Sequence, residues 1–255
     1  MCTVTYIPCK NGFVLTSNRD EHISRGIAFY PDFYEIANKK LVYPKDNKTG
    51  GTWFISDNQG DAGVLLNGAF EKHKPLPFYR KSRGMVLPEL FETKSPIVAI
   101  KKYNLSDIEN FTIILMEKGH LYEIKWDGIK LLIKNHDPRK AHIWSSVTLY
   151  SAQMILERHG WFDSWMQSNK TNSQADILDF HGLTESGNKE YGLKISRKNK
   201  IATSSITSLK IDFQKATFHH KDLIQNIDAI LEYDLKSIPT RQTLIINKCE
   251  IASYN

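Results

Sequence analysis

Thr3-Val4-Thr5-Tyr6-Ile7-Pro8, a turn at Cys9-Lys10-Asn11-Gly12, and Phe13-Val14-Leu15-Thr16-Ser17 open the chain. Both flanking runs are rich in β-branched and aromatic residues, and an Asn-Gly step between two such runs is a hairpin signal. Folding about a two- or three-residue turn pairs positions whose numbers sum to about 22 or 23. That register predicts Cys2 opposite Asp20 or Glu21, with Asn18 and Arg19 alongside. A thiol, a guanidinium and two carboxylates then share one hairpin end.

Cys2 directly follows the initiator methionine, which is removed when the next side chain is small. The product carries a thiol and a free amine on one residue. An α-amine titrates near about 8 and can act as general base for its own thiol. Arg19 beside the sulfur would favour the thiolate, and Asp20 would orient the amine. Without Cys2 opposite them, Arg19 and Asp20 read as a surface ion pair of little energetic weight. With it, the functional reading is preferred.

The Met-Cys start and the run Asn18-Arg19-Asp20-Glu21 resemble the NRDE proteins, also called the transport-and-Golgi-organisation family. Three further stretches carry the resemblance in order: Gly50-Gly51-Thr52-Trp53, the apolar Ala62-Gly63-Val64-Leu65-Leu66 ending at Asn67, and Ser82-Arg83-Gly84. That family is similar to the N-terminal-nucleophile hydrolases, close to the bile-salt and penicillin-V acylases. The resemblance implies an α+β fold, a four-layer αββα sandwich of two antiparallel sheets. It also implies Cys2 as nucleophile, Arg19 and Asp20 as its supports, and Asn67 as an oxyanion donor. Read from its residues alone, Asn67-Gly68 is equally a turn.

Two positions depart from the acylase pattern. Ser146 stands where a second Asn is expected, and Ser204 where a late Arg is expected. One oxyanion donor is thereby shortened to a hydroxyl and one cation lost; an oxyanion donor is worth on the order of 3 kcal/mol in the transition state. Trp53 reads either as a wall of a substrate pocket or as core. Arg83 reads either as a contact to an anionic substrate group or as compensation for nearby carboxylates.

Elsewhere, strands are predicted at 53–56, 62–67, 111–116, 121–126, 129–133, 201–211, 216–219 and 243–246. Helices are predicted at 85–92, 96–103, 147–165 and 173–180, and 223–235 is ambiguous. Consecutive strands joined by short turns favour antiparallel sheets over a doubly wound fold.

The chain has 255 residues, 41% hydrophobic and 24% charged, with a formal net charge of +6. This suits a soluble globular protein, read as one domain over 1–255. Basic residues are interleaved with acidic ones and form no basic–aromatic stripe, so a nucleic-acid partner is not expected. No apolar run reaches the ~20 residues of a membrane span. No secretory signal precedes the first strand, and a cytoplasmic location is expected. Three cysteines and nine histidines fall in no metal-ligand spacing, and His219-His220 would face opposite sides of a strand, so no metal or other cofactor is expected.

The reading is a cysteine amidohydrolase or acyltransferase acting on the linear, non-peptide C–N bond of a small-molecule amide or acyl substrate, through an acyl-Cys2 intermediate. Its substrate identity and oligomeric state are open. The alternative is a non-catalytic ligand-binding or trafficking protein with a haem-like or lipid-like cargo in the same pocket.

Overall fold

The computed structural model describes residues 3–36, 39–169, 173–198, 200–236 and 243–248. Strands β1 (Thr3–Cys9) and β2 (Gly12–His22) form the opening hairpin. Cys9 pairs with Gly12 across a two-residue Lys10-Asn11 loop, and the register runs on to Thr3 paired with Asn18. This corrects the predicted register, which is too long by a residue or two. Gly12 belongs to the strand and not to the turn: a Cβ on it would lie 2.0 Å from the Ile211 carbonyl oxygen of the adjoining strand. Cys2 lies outside the described residues.

Seven strands follow one another in a meander sheet: β3 (Phe29–Ile36), β4 (Lys39–Lys45), β5 (Phe54–Asp57), β6 (Ala62–Asn67), β7 (Phe111–Glu117), β8 (His120–Trp126) and β9 (Leu131–His136). Five more join the opening hairpin: β10 (His142–Ser145), β11 (Ile201–Asp212), β12 (Lys215–Asp222), β13 (Ile227–Asp234) and β14 (Thr243–Lys248). Their order is β10-β1-β2-β11-β12-β13-β14. Pairing is antiparallel in both sheets. The sheets face each other across an apolar core, with the Phe54 and Phe218 rings 5.4 Å apart and Phe33 5.6 Å from Tyr233.

Helices α1 (Val86–Phe91) and α2 (Pro96–Ile100) cover the outer face of the meander sheet. Gly63 makes room for α1, since a Cβ there would sit 3.1 Å from both Leu87 and Phe91. Helices α3 (Ala152–Ser168) and α4 (Gln174–Leu183) cover the hairpin sheet, sharing a second apolar cluster of Ile7, Val14, Ile143, Phe162, Ile177, Phe180 and Leu193. The architecture is thus a four-layer αββα sandwich. Among the described residues no helix is long and apolar enough to cross a membrane.

Several elements differ from the sequence reading for local reasons. β3 and β4 were not predicted; they pair with Tyr34 opposite Leu41 and Tyr43 opposite Asp32, and the Tyr34 and Tyr43 rings stack diagonally across the pair 4.0 Å apart. α3 starts later than 147 because Tyr150 N–H closes a turn on the Ser146 carbonyl (3.1 Å) and Ser151 then caps the helix. α2 stops at Ile100, short of the predicted 103. In the ambiguous 223–235 stretch, the Asp222 carboxylate accepts from the Ile224 and Gln225 amides, both at 2.9 Å, and this turn delivers the chain into β13.

Candidate active site

Alternation along β2 separates the two charges that the sequence placed together. Arg19 and Asp20 are 3% and 2% exposed, so neither is a surface ion-pair member, and they point to opposite faces of the strand. Arg19 faces the other sheet. Its Nη2 donates to Asp46 at 2.7 Å, its Nη1 to Ser204 Oγ at 3.1 Å, and its guanidinium lies 4.6 Å from the Trp53 ring centre. Asp20 faces the helices of the hairpin sheet, where it accepts from Tyr150 Oη at 2.9 Å and Thr203 Oγ1 at 2.5 Å.

Asp46 is the anchor that sequence reasoning missed. It heads a turn in which its Oδ1 accepts from the Lys48 and Thr49 amides and the Thr49 hydroxyl, at 2.9 to 3.1 Å. Oδ2 takes Arg19 and also Arg25, whose Nε is 3.2 Å away. Burial pushes this carboxyl up, but the Thr49 and Arg25 contacts outweigh it and hold the group below the usual carboxylate range. The Asp-Asn-Lys-Thr-Gly composition of 46–50 signals a turn; nothing in it names Arg19 as the partner.

The family-like glycines have a packing reason. A Cβ on Gly51 would lie 2.5 Å from the Gly84 carbonyl, and the Thr52 amide donates to that same carbonyl at 2.9 Å. The Gly-Gly-Thr-Trp and Ser-Arg-Gly stretches therefore meet back to back, and their contact walls one cavity. That cavity, of about 170 Å³, is lined by Arg19, Glu21, Arg25, Trp53, Asn67 and Arg83, among others.

Trp53 is both wall and core: it is buried, and its indole N–H has no partner among the described residues. For Arg83 the compensating role is the one seen, with Nη1 2.9 Å from Glu109 and 3.2 Å from the Asn110 carbonyl.

Asn67 closes β6 and borders a second, larger cavity of about 430 Å³ between β10, α3 and the meander sheet. Ser146 lines this larger cavity. Its hydroxyl donates to the Asn67 carbonyl at 2.7 Å and shares a 2.8 Å contact with Thr148, so it fastens the Asn67 backbone. Gly68, at φ +81°, has no room for a Cβ against Val147 and Thr148. Ser204, in place of the expected cation, accepts from the Arg19 guanidinium and donates to the Arg19 carbonyl at 3.0 Å.

Asn18, the first residue of the four-residue motif, is structural. Its amide donates to the His181 and Leu193 carbonyls at 3.2 and 2.6 Å and meets the His181 ring, whose other nitrogen is 2.8 Å from Thr5 Oγ1. Burial, with Arg158 adding to it, pushes His181 down to about 3, so it is neutral. Among the described residues, no group of three or more His, Cys, Asp or Glu is placed to hold a metal.

This fold is that of the N-terminal-nucleophile hydrolases. An N-acylethanolamine-hydrolyzing acid amidase ortholog of Caenorhabditis elegans superimposes with a TM-score of 0.57 at 8% identity, covering 82% of this chain and 92% of the amidase. A mutant conjugated bile acid hydrolase of Clostridium perfringens gives a TM-score of 0.51 at 9% identity, over 98% and 97% of the two chains. No curated protein matches the sequence. The chain belongs to the Transport and Golgi organisation 2 family, whose sequence profile matches residues 1–232.

Proposed function

We propose that the chain is an amidohydrolase with Cys2 as its nucleophile, acting on a small, linear, non-peptide amide. One juxtaposition carries this reading. Thr3, the residue after Cys2, pairs with Ser145 on one flank and Asn18 on the other. The next residues outward on those flanks, Ser146 and Arg19, belong to the walls of the larger and smaller cavities respectively, and Asn67 borders both.

In this scheme the Cys2 thiol passes its proton to its own α-amine, and the thiolate attacks the acyl carbon. The C–S bond forms, and the developing oxyanion is held by the Asn67 amide and backbone N–H groups. Collapse breaks the C–N bond, and the leaving amine takes the proton from the α-ammonium. Water then attacks the thioester, releasing the acid and restoring the thiol. Arg19 supplies the positive charge that favours the thiolate, itself held by Asp46 and Ser204. Asp20, held by Tyr150 and Thr203, orients the amine.

Intact-mass measurement and an acyl-electrophile probe with peptide mapping test this. Met1 is expected to be absent, Cys2 to be the labelled residue, and Cys2→Ala to abolish labelling. Arg19→Gln is expected to slow labelling at neutral pH by about tenfold or more, the loss of a charge that favours the thiolate. Retention of Met1 on the native protein, or labelling confined to Cys9, overturns the proposal.

The non-catalytic reading draws on Ser146 and Ser204. The first spends its hydroxyl on the Asn67 carbonyl, and the second contributes no cation. A protein of that kind would bind a haem-like or lipid-like cargo without acylating Cys2, which spectral titration alongside the labelling experiment separates.

A further inference from the structure

Arg158 on α3 is fully buried, and among the described residues no carboxylate lies within ion-pair distance of it. A buried charge without an opposite partner is costly, and a hydrocarbon side chain of like volume would cost the fold less. The guanidinium is instead satisfied by neutral groups. Its Nη1 donates to Thr3 Oγ1 at 2.5 Å, Nη2 to the Gly192 carbonyl at 2.6 Å and Nε to the Tyr191 carbonyl at 3.1 Å. Its face lies 3.4 Å from the centre of the Tyr150 ring.

Two of those contacts lead toward the candidate site. Thr3 is the residue after Cys2, and Tyr150 is the hydroxyl donor to Asp20. The loop that supplies the carbonyls is tightly wound on itself, since a Cβ on Gly192 would lie 2.2 Å from the Glu185 carbonyl oxygen.

We infer that Arg158 is a positioning residue of the candidate active site, locking the strand that follows Cys2 and the tyrosine that holds Asp20 into one unit around a fixed positive charge. The inference rests on the reading of Cys2 as nucleophile. Among the described residues, the charged and titratable groups facing Arg158 are His181 from α4, neutral in its burial, Tyr150 beneath it, Arg197 at 5.3 Å from the same ring, and Asp20 beyond the tyrosine hydroxyl. The helix face would be filled equally well by leucine if it served packing alone.

The test compares wild type, Arg158→Gln and Arg158→Lys, each with Met1 removed, in the rate of Cys2 alkylation by iodoacetamide across pH and in acylation by the probe used above. In Arg158→Gln the alkylation midpoint is expected to rise by about one pH unit, as when a neighbouring positive charge is lost, and acylation to slow about tenfold or more. In Arg158→Lys, which keeps a buried cation but not the planar fork, the midpoint is expected to stay at the wild-type value while acylation slows. The lysine variant carries the test by itself should the glutamine variant fail to fold. Wild-type midpoints and acylation rates in the folded variants overturn the inference alone, and so does a lysine variant whose midpoint shifts. A wild-type Cys2 that neither alkylates nor acylates overturns the reading of the site and this inference with it.

Discussion

The two outer helical layers of the sandwich are built on different physics. On the meander sheet, α1 is only 6 residues long, yet Val86, Leu87, Pro88, Leu90 and Phe91 are all buried. It needs no polar contact to the sheet, because Gly63 lets Leu87 and Phe91 rest directly on the backbone. On the hairpin sheet, α3 runs for 17 residues and buries only Arg158 and Phe162. Between α3, α4 and that sheet lies a polar mesh of Arg158, Thr3, Tyr150, Asp20, Asn18, His181 and Thr5. Hydrocarbon packing tolerates small slips at modest cost, whereas hydrogen bonds to buried charges fix direction and distance. The layer packed on the strand that follows Cys2 in sequence is the more directional one, although α2 also hangs its Ser95 hydroxyl and Ile97 amide on buried Glu117 of β7.

The contrast breaks most sharply at Phe91. Phe91→Ala is expected to lower unfolding free energy by about 3–5 kcal/mol through lost burial and a residual cavity, measured by urea denaturation. Cys2 labelling per folded molecule should be unchanged, and a slowed rate would show that the apolar layer also serves the site. Asn18→Ala attacks the polar layer. It strips donors from the His181 and Leu193 carbonyls and is expected to cost about 2 kcal/mol, this time with slower labelling of the folded protein.

Acid sharpens the comparison further. Burial pushes His181 to about 3 and His220 to about 4, so both are neutral in the fold but take up protons in the unfolded chain below about 6.5. Stability held above pH 6.5 is therefore lost as pH falls toward 4. Asp61 acts in the opposite sense: burial raises it to about 6, so the folded state binds its proton first and gains stability as pH falls below that value. His142 and His219, also lowered by burial, add to the loss, and Asp57, raised by burial, adds to the offset. Four histidines against two carboxyls leave a net loss of stability as pH falls from about 6 toward 4. Asp61→Asn is expected to raise stability at pH 7 and steepen the acid loss, both readable from melting temperature against pH. The smallest effect belongs to Trp53→Phe. It keeps a ring near Arg19 but removes the five-membered half of a buried indole, whose N–H lacks a partner among the described residues. Stability should fall by about 1–2 kcal/mol through the small cavity left, and the probe concentration for half-maximal labelling should rise a few-fold.

How far the sequence reached follows from the same division. Strand alternation and turn residues made β1, β2, β6 and the β7–β9 meander legible, since each is a local pattern closed by a short turn. Arg19, Asn67, Trp53 and Arg83 were legible as candidates, and the fold brings them to one cavity. The register of the opening hairpin was not, because it depends on Gly12 meeting a strand two hundred residues later in the chain. The core of α3 was misread for a related reason. Leu149, Met154, Ile155 and Trp161 carry the apolar period, yet each is only partly buried, and the centre of the buried face is an arginine. Asp46, Tyr150 and Thr203 were invisible as site residues because their partners are 27, 130 and 183 positions away in sequence.

A single extra residue in β11 carries a consequence of its own. Thr203 pairs with Asp20 and Ser205 with Arg19, so Ser204 is the inserted residue of a bulge. Because of it, neighbouring positions of one strand can grip both sides of β2 at once, Thr203 beneath the carboxylate and Ser204 around the guanidinium. Deleting that residue would leave every other side chain chemically intact while turning the remainder of the strand inside out relative to its neighbour. In lineages related to this one, insertions and deletions at this point would therefore be expected to abolish the site more completely than exchange of any one of its side chains.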